Sequence, residues 1–183
     1  MKQIIITLSL IGIYTFKCYA QIEDPKEITP QILQKIISEV DKEAKIYEDN
    51  LSVEDLSKDL ISFSLDTFKI EHIVSKRMDI DYSTAGMNNT MDERTKAYDV
   101  LLNRYYNKIL KLLKPEDKKA LINAQKAWIA YRDAEMKLIS TLTKDEYSGG
   151  GTIQSNIASG AYSDLVVNRT IELFRYYDSI LKE

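Results

Sequence analysis

The chain has 183 residues, 44% of them hydrophobic, and 25 Lys and Arg against 28 Asp and Glu give it a net charge of −3. This balance excludes general binding to nucleic acids or anionic membranes, because both need a basic surface. A single histidine and a single cysteine cannot build an ordinary zinc site, so we expect no metal and no cofactor.

The first twenty residues have the pattern of a secretory signal peptide. Lys2 precedes an apolar stretch from Ile4 to Phe16, and Cys18 and Ala20 place small residues at the −3 and −1 positions of a cleavage site. We therefore predict cleavage after Ala20 and a protein that is exported, either periplasmic or secreted. Lipid attachment at Cys18 is the alternative, and Lys17 disfavours it because a bacterial lipobox has a small residue there.

The predicted mature chain, residues 21–183, is acidic and has no cysteine. Without Lys2 and Lys17 it keeps 23 basic against 28 acidic residues, a net charge of −5, which favours a basic partner. Because no disulfide can form, its stability must come from a hydrophobic core. No further apolar run approaches the ~20 residues of a membrane-spanning helix.

Two helices are predicted before residue 83. Thr29 followed by Pro30 is typical of an N-cap and the first helical position. Ser52 and Asp55 resemble a capping box, which predicts the start of a second helix there. The links between these helices are short, so we expect residues 21–82 to form a helical hairpin packed on the rest of the chain.

Three longer helices are predicted after it. The third runs from Ser83 or Thr84 to Leu113, Pro115 opens the fourth, and the fifth runs from Thr152 to Leu181. The inward stripe predicted for the fourth helix is Leu121, Ala124, Trp128, Tyr131, Glu135, Leu138 and Leu142; that for the fifth is Ala158, Tyr162, Leu165, Arg169, Leu173, Tyr176 and Ile180. No alternating apolar pattern indicates a sheet. The fold class is therefore all-α, a bundle of about five helices joined by short loops.

One segment of the fourth helix carries a distinctive motif, Ala-Gln-Lys-x-Trp followed by Arg-Asp-x-Glu. It occupies residues 124–135 and contains Gln125, Trp128, Arg132, Asp133 and Glu135. Asp99 and Asn103 precede it, and the glycines at 149–151 and Arg169 follow it. With these motifs, residues 83–177 resemble the LprI family of extracytoplasmic, lysozyme-inhibitor-like proteins, which have a DUF1311-type domain. The resemblance implies that residues 83–183 form an LprI-like helical domain and that the protein is a binding protein without enzymatic activity.

The resemblance also implies a difference at two positions. Many relatives have cysteines where this chain has Thr90 and Met136. Their joint absence is consistent with loss of a covalent link between two helices, with methionine filling core volume instead.

Three residues of the motif region admit more than one interpretation. Trp128 is either a core anchor, as aromatic residues in a helical stripe usually are, or an exposed binding anchor. Glu135 and Arg169 interrupt apolar stripes, so we predict an ion pair between them, with Arg132 competing for the same carboxylate. A catalytic role for Glu135 is disfavoured because no second carboxylate is indicated.

The densest turn signal of the chain lies between the fourth and fifth helices. It includes Tyr147, Ser148, Gly149, Gly150, Gly151 and Thr152. The loop is either a helix connection that needs positive φ or a protruding recognition element with Tyr147 as its anchor. It lacks the Gly-Lys-Ser/Thr ending of a phosphate-binding loop. His72 has no metal-binding or catalytic companions and is expected to be structural or exposed.

Two functional hypotheses follow. The first is an exported, non-enzymatic protein that binds and occludes a lysozyme-type peptidoglycan hydrolase, with the loop at 147–152 blocking substrate entry. The alternative is a cell-envelope scaffold that binds another envelope protein through its first two helices, where an exposed apolar patch is then expected. The oligomeric state is left open.

Overall fold

The computed structural model describes residues 24–181, so the predicted signal peptide and the alternative of a lipid at Cys18 lie outside the described residues. Within this range every regular element is a helix: α1 (Pro30–Leu51), α2 (Lys58–Ile80), α3 (Thr84–Leu112), α4 (Lys118–Leu142), α5 (Asp145–Ser148) and α6 (Ile153–Leu181). The predicted all-α bundle is confirmed. Five of these helices are long, and the single-turn helix α5 lies inside the predicted turn region.

Hydroxyl caps fix where three helices begin. The Thr29 hydroxyl accepts a hydrogen bond from the Ile32 backbone N–H, as predicted. Ser83 caps α3 in the same way, which places the start of that helix at Thr84, within the predicted bounds. The predicted cap at Ser52 is wrong. Its backbone N–H donates to the Glu48 carbonyl and its hydroxyl to that of Asp49, so Ser52 ends α1. The cap of α2 is Ser57.

The start of α4 also differs from the prediction. Pro115 lies in a turn. The backbone N–H groups of Asp117 and Lys118 both donate hydrogen bonds to the Lys114 carbonyl across this turn. The helix begins only at Lys118, three residues after the proline. Its N-cap, Asp117, makes no side-chain capping bond, so this end of α4 lacks the stabilisation that Ser or Asp caps usually give.

Helices α3 and α6 form the centre of the bundle and run parallel. The Asn88 side chain bonds those of Asn156 and Ser159 near the start of both helices. Further along, the Thr170 hydroxyl donates to the Tyr98 carbonyl at 3.2 Å. Because the contacts occur in the same order along both helices, the chain needs a return segment between them. That segment is α4, which runs antiparallel to α6.

The hydrophobic core lies where α2, α3 and α6 meet. Phe63 of α2 stacks on Phe174 of α6 with ring centroids 3.9 Å apart, and the fully buried Tyr105 of α3 meets both rings edge-on. Arg94 joins the same three helices by polar contacts. Its guanidinium donates to Glu71 of α2 and to Ser163 and Asp164 of α6.

Helix α1 packs against α2 at the edge of the molecule. It buries Ile36, Val40 and Ala44, while the Tyr47 ring stacks on Phe68 at 4.6 Å. His72 continues this stack and lies 2.9 Å from a Glu43 carboxylate oxygen. The division of the chain at residue 82 stays a prediction.

The predicted inward stripes of α4 and α6 are partly wrong. In α4 only Leu121 is buried and Trp128 is half-buried, whereas Ala124, Tyr131, Leu138 and Leu142 are exposed. α6 buries Arg169 and Leu173 as predicted, but Tyr176 and Ile180 are exposed. The side chains buried in their place are Ser163, Val166, Val167, Thr170, Phe174 and Tyr177. For α4 the physical reason is the number of neighbouring helices. It packs mainly against α6 and therefore cannot bury a full stripe of side chains.

Candidate functional site

An open groove of about 470 Å³ separates α4 from α6. Two aromatic side chains of α4 form one wall, and polar and charged side chains of α6 form the other. Its aromatic and polar members are Trp128, Tyr131, Asn168, Arg169, Glu172 and Arg175. We call this the α4–α6 groove. It contains two residues of the predicted motif set, Trp128 and Arg169.

Arg169 is the most unusual residue of the groove because its charged side chain is only 6% exposed. Its Nε donates to Gln125 Oε1 at 3.0 Å, and its Nη1 donates to Glu172 Oε2. Its Nη2 is buried and has no hydrogen-bond partner. A buried donor left unsatisfied costs roughly 1–3 kcal/mol. The site therefore holds an unused hydrogen-bond donor beside a cavity.

The predicted ion pair between Glu135 and Arg169 is not formed. Gln125 is the α4 residue opposite Arg169, and Glu135 lies ten residues further along α4, which is about 15 Å at 1.5 Å per residue. Glu172, three residues after Arg169 on α6, supplies the carboxylate instead. Arg132 does not compete for Glu135 either, because its guanidinium pairs with Asp133.

Glu172 is ionised in this arrangement. Burial raises the pKa of its carboxyl group, but hydrogen bonds from the Tyr176 hydroxyl and the Arg169 guanidinium outweigh that effect and leave the pKa below its usual value. The Tyr176 hydroxyl lies 2.7 Å from Glu172 Oε1. Spacing alone could have identified Glu172, since residues three apart on a helix are neighbours. Asn168 and Arg175 gave no such signal.

Trp128 combines the two roles that its sequence context left open. Its ring packs against the hydrophobic core and also lines the groove. The guanidinium carbons of Arg132 and Arg169 lie 5.5 and 5.9 Å from the ring centroid, within the range of cation–π attraction. Trp128 thus contacts Arg169 and borders the cavity at once.

The loop at 147–152 lies away from the groove, beyond the far end of α4. From Trp128 to Leu142 the helix rises about 20 Å. Gly149, Gly150 and Gly151 all have positive φ, from 78 to 94°, and Gly149 ends α5 in the left-handed conformation. The interpretation as a connection needing positive φ is confirmed. The Tyr147 side chain is 62% exposed, so the loop also remains compatible with a role as a contact surface.

Exposed apolar side chains surround this loop. Leu142 ends α4, Tyr147 lies in α5, and Ile153 and Ile157 begin α6, each more than half exposed. We call these four residues the apolar end. Single exposed apolar residues are ordinary, but a group of them at one place is a common mark of an interaction surface.

Two motif residues lie elsewhere. The Asn103 side chain donates to the backbone and side-chain oxygens of Asp99, one turn earlier on an exposed face of α3. This pair stabilises its own helix and does not reach the groove. Thr90, at one of the two positions where the resemblance implies cysteine in relatives, is fully buried and accepts a hydrogen bond from Arg77.

A larger groove of about 670 Å³ lies between α1 and α2, but its charges balance. It is lined by as many lysines as acidic residues, and Lys69 is already paired with Asp41. Among residues 24–181, no three His, Cys, Asp or Glu side chains come together as metal ligands. No helix in that range is long and apolar enough to cross a membrane.

Comparison with known proteins identifies the family. The profile of the family described as lysozyme inhibitor LprI matches residues 75–173, which are 99 of the 183 residues. The chain belongs to the LprI family. An uncharacterized protein of Rhizobium meliloti (strain 1021) is 28% identical over 110 residues, 53% of this chain and 76% of that protein. No solved structure is significantly similar to the present chain.

The LprI match covers the loop at 147–152 and every lining residue of the α4–α6 groove except Arg175, but it does not cover α1. It begins inside α2, eight residues before the predicted start of the domain at residue 83. Apart from Arg175, both candidate contact surfaces therefore lie in the part of the chain that is shared with the family.

Proposed function

We propose that this LprI-family protein is exported, binds a lysozyme-type peptidoglycan hydrolase and inhibits it by occlusion. The observation that carries the proposal is the apolar end, where Leu142, Tyr147, Ile153 and Ile157 are exposed beside a loop of three glycines. The loop lets the backbone approach a partner closely, and Tyr147 supplies a large side chain for a pocket. Family membership supplies the class of partner.

The charge of the protein supports a basic partner. Residues 21–183 carry a net charge of −5, and the side chains near the loop include Asp145 and Glu146. An acidic surface speeds the approach of a basic enzyme, and the effect weakens as salt screens the charges. We therefore expect inhibition to require less protein at low salt than at physiological salt.

The test is the lytic activity of a basic lysozyme on cell-wall substrate, measured with increasing amounts of purified residues 21–183. Saturable inhibition at a fixed stoichiometry is expected. Tyr147→Ala and Ile153→Ser should each weaken inhibition about tenfold or more, the size typical of an anchoring side chain. Unchanged inhibition by both variants would keep the function and remove the apolar end as its surface.

A matched control is available on α1. Ile46 is 64% exposed and Ile153 is 53% exposed, and both lie on helices. Ile46→Ser removes the same apolar side chain far from the loop, so it should leave inhibition unchanged. Equal losses from both isoleucines would indicate a nonspecific effect of apolar exposure.

The scaffold alternative predicted an apolar patch on the first two helices. Within residues 24–181, sixteen large apolar side chains are exposed, and eleven of them lie from Ile122 onwards. Only Ile46 and Val53 belong to α1 and the turn after it. Apolar exposure therefore favours the lysozyme-binding proposal, and absence of inhibition against several lysozyme types would make capture from an envelope extract the next experiment.

A further inference from the structure

The α4–α6 groove has features that the proposed function does not use. It lies about 20 Å along α4 from the apolar end, and one of its walls contains Arg169, whose buried Nη2 has no hydrogen-bond partner. From these features we propose that the groove is a separate binding site for a carboxylate. This inference does not depend on lysozyme binding.

The first argument is the state of the Arg169 guanidinium. Gln125 and Glu172 occupy its Nε and Nη1, which fixes the orientation of the planar group. The side chain is 94% buried, so Nη2 cannot be satisfied by free exchange with bulk water. A carboxylate oxygen forms a strong, charge-assisted hydrogen bond with a guanidinium N–H.

The second argument is charge. Arg169 and Arg175 line the groove against one carboxylate, that of Glu172. Arg175 is exposed and makes no ion pair within residues 24–181. The Glu172 carboxylate is already engaged by Arg169 and Tyr176, so it does not neutralise Arg175. The groove therefore has a spare positive charge although the protein as a whole is acidic.

The third argument is the aromatic wall. Trp128 and Tyr131 form an apolar surface beside the arginines, and the Asn168 amide adds a donor and an acceptor. A cavity of about 470 Å³ falls within the size range of small-molecule sites. The ligand that fits is a carboxylate whose carbon skeleton packs on Trp128. Two sources supply this chemistry: an acidic side chain of a protein and an acidic sugar.

The test uses the intrinsic fluorescence of Trp128, the only tryptophan of the chain. Residues 21–183 are titrated at constant ionic strength with N-acetylglutamate amide and with N-acetylmuramic acid. The neutral counterparts are N-acetylglutamine amide and N-acetylglucosamine. We expect a saturable change with at least one of the two acids and none with its neutral counterpart, and the tighter acid identifies the source. Equal responses to an acid and its neutral counterpart, or no saturable response to either acid, overturn the proposal.

Variants separate the arginine contacts from a general charge effect. Arg175→Gln should weaken binding of the acid about threefold, as expected for the loss of an exposed charge. Lys126→Gln removes the same charge from the opposite face of α4 and should leave binding unchanged. Equal effects of these two substitutions would contradict the proposal.

Arg169→Lys tests the buried donor itself. Lysine keeps the charge but loses the planar fork that Gln125 and Glu172 orient, so affinity should fall more than about tenfold. Because Arg169 is buried, thermal unfolding of this variant is measured alongside. If Arg169→Lys folds and binds the acid as tightly as the original protein, the guanidinium is not the ligand-binding group; if it does not fold, the Arg175→Gln result decides.

Discussion

The α3–α6 pair and helix α4 lie side by side but differ in how many of their side chains are buried. The pair buries small, polar and aromatic side chains together, including Thr90, Ser163 and Thr170, all at 0% exposure. α4 carries most of the motif on which the predicted resemblance rests, yet only Leu121 of its 25 residues is buried. Residues that hold the bundle together and residues that mark the family are thus largely on different helices. The exposure of α4 therefore favours a surface role for much of this motif, whereas Arg169 is buried.

The same substitution in the two regions tests this comparison most strongly. Leu173→Ala on α6 removes a fully buried side chain and should cost about 3 kcal/mol in the free energy of unfolding. Leu138→Ala on α4, where the leucine is 50% exposed, should cost less than about 0.5 kcal/mol. Chemical denaturation of both variants measures the difference. Similar losses would mean that α4 is packed against a neighbour, as in an oligomer.

The sequence predicted the helices better than their buried faces. The hydroxyl cap at Thr29 placed one helix start correctly because a cap depends on residues within one turn, and the apolar spacing placed the start of α3 at Ser83 or Thr84. How much of the surface of α4 is buried depends on how many helices surround it, and the spacing of apolar residues cannot reveal that number. Leu138 and Leu142 fit an inward stripe by spacing but are exposed.

The candidate site was predicted in part. The motif directed attention to Trp128 and Arg169, and both line the groove. The partner of Arg169 was assigned to Glu135 because both interrupt apolar stripes, but the antiparallel register of α4 and α6 brings Gln125 opposite instead. Register between two helices is a long-range property that a single sequence does not encode locally.

A second comparison contrasts a half-buried and an exposed arginine of α3. Arg94, whose side chain is 15% exposed, joins Glu71 to Ser163 and Asp164 and so links three helices. Arg94→Met should lower the free energy of unfolding by about 2 kcal/mol, since it removes several charge-assisted hydrogen bonds. Arg104→Met breaks the more exposed pair with Asp66 and should cost under about 1 kcal/mol. Thermal or urea unfolding that ranks the two in reverse order would contradict this assignment.

The pH dependence of stability tests the polar edge of the core. The hydrogen bond from Lys108 lowers the pKa of Asp59; burial opposes this, and a bond from Tyr177 adds to it. Because the folded pKa lies below the unfolded value, the contribution is complete above the unfolded pKa of about 3.9 and disappears as pH falls through the folded pKa. Asp59→Asn should therefore lower stability by about 1 kcal/mol or less at neutral pH, and by progressively less in acid. A difference that grows in acid would reverse the assigned sign.

The smallest effect is expected at Tyr105 of α3, for which Tyr98 on the same helix is the comparison. The Tyr98 hydroxyl donates to Glu71 at 2.7 Å, whereas the Tyr105 hydroxyl is buried without a partner, and burial raises the pKa of Tyr105 to about 12. Tyr98→Phe should cost about 1 kcal/mol, because it removes a hydrogen bond to a charged group. Tyr105→Phe should leave stability unchanged or raise it by roughly 0.5 kcal/mol, because it removes a hydroxyl that folding desolvates without compensation. Urea unfolding of the two variants at neutral pH compares them. A loss for Tyr105→Phe as large as that for Tyr98→Phe would show that the Tyr105 hydroxyl has an acceptor after all, and a bound water within the core would then be part of the α3–α6 pair.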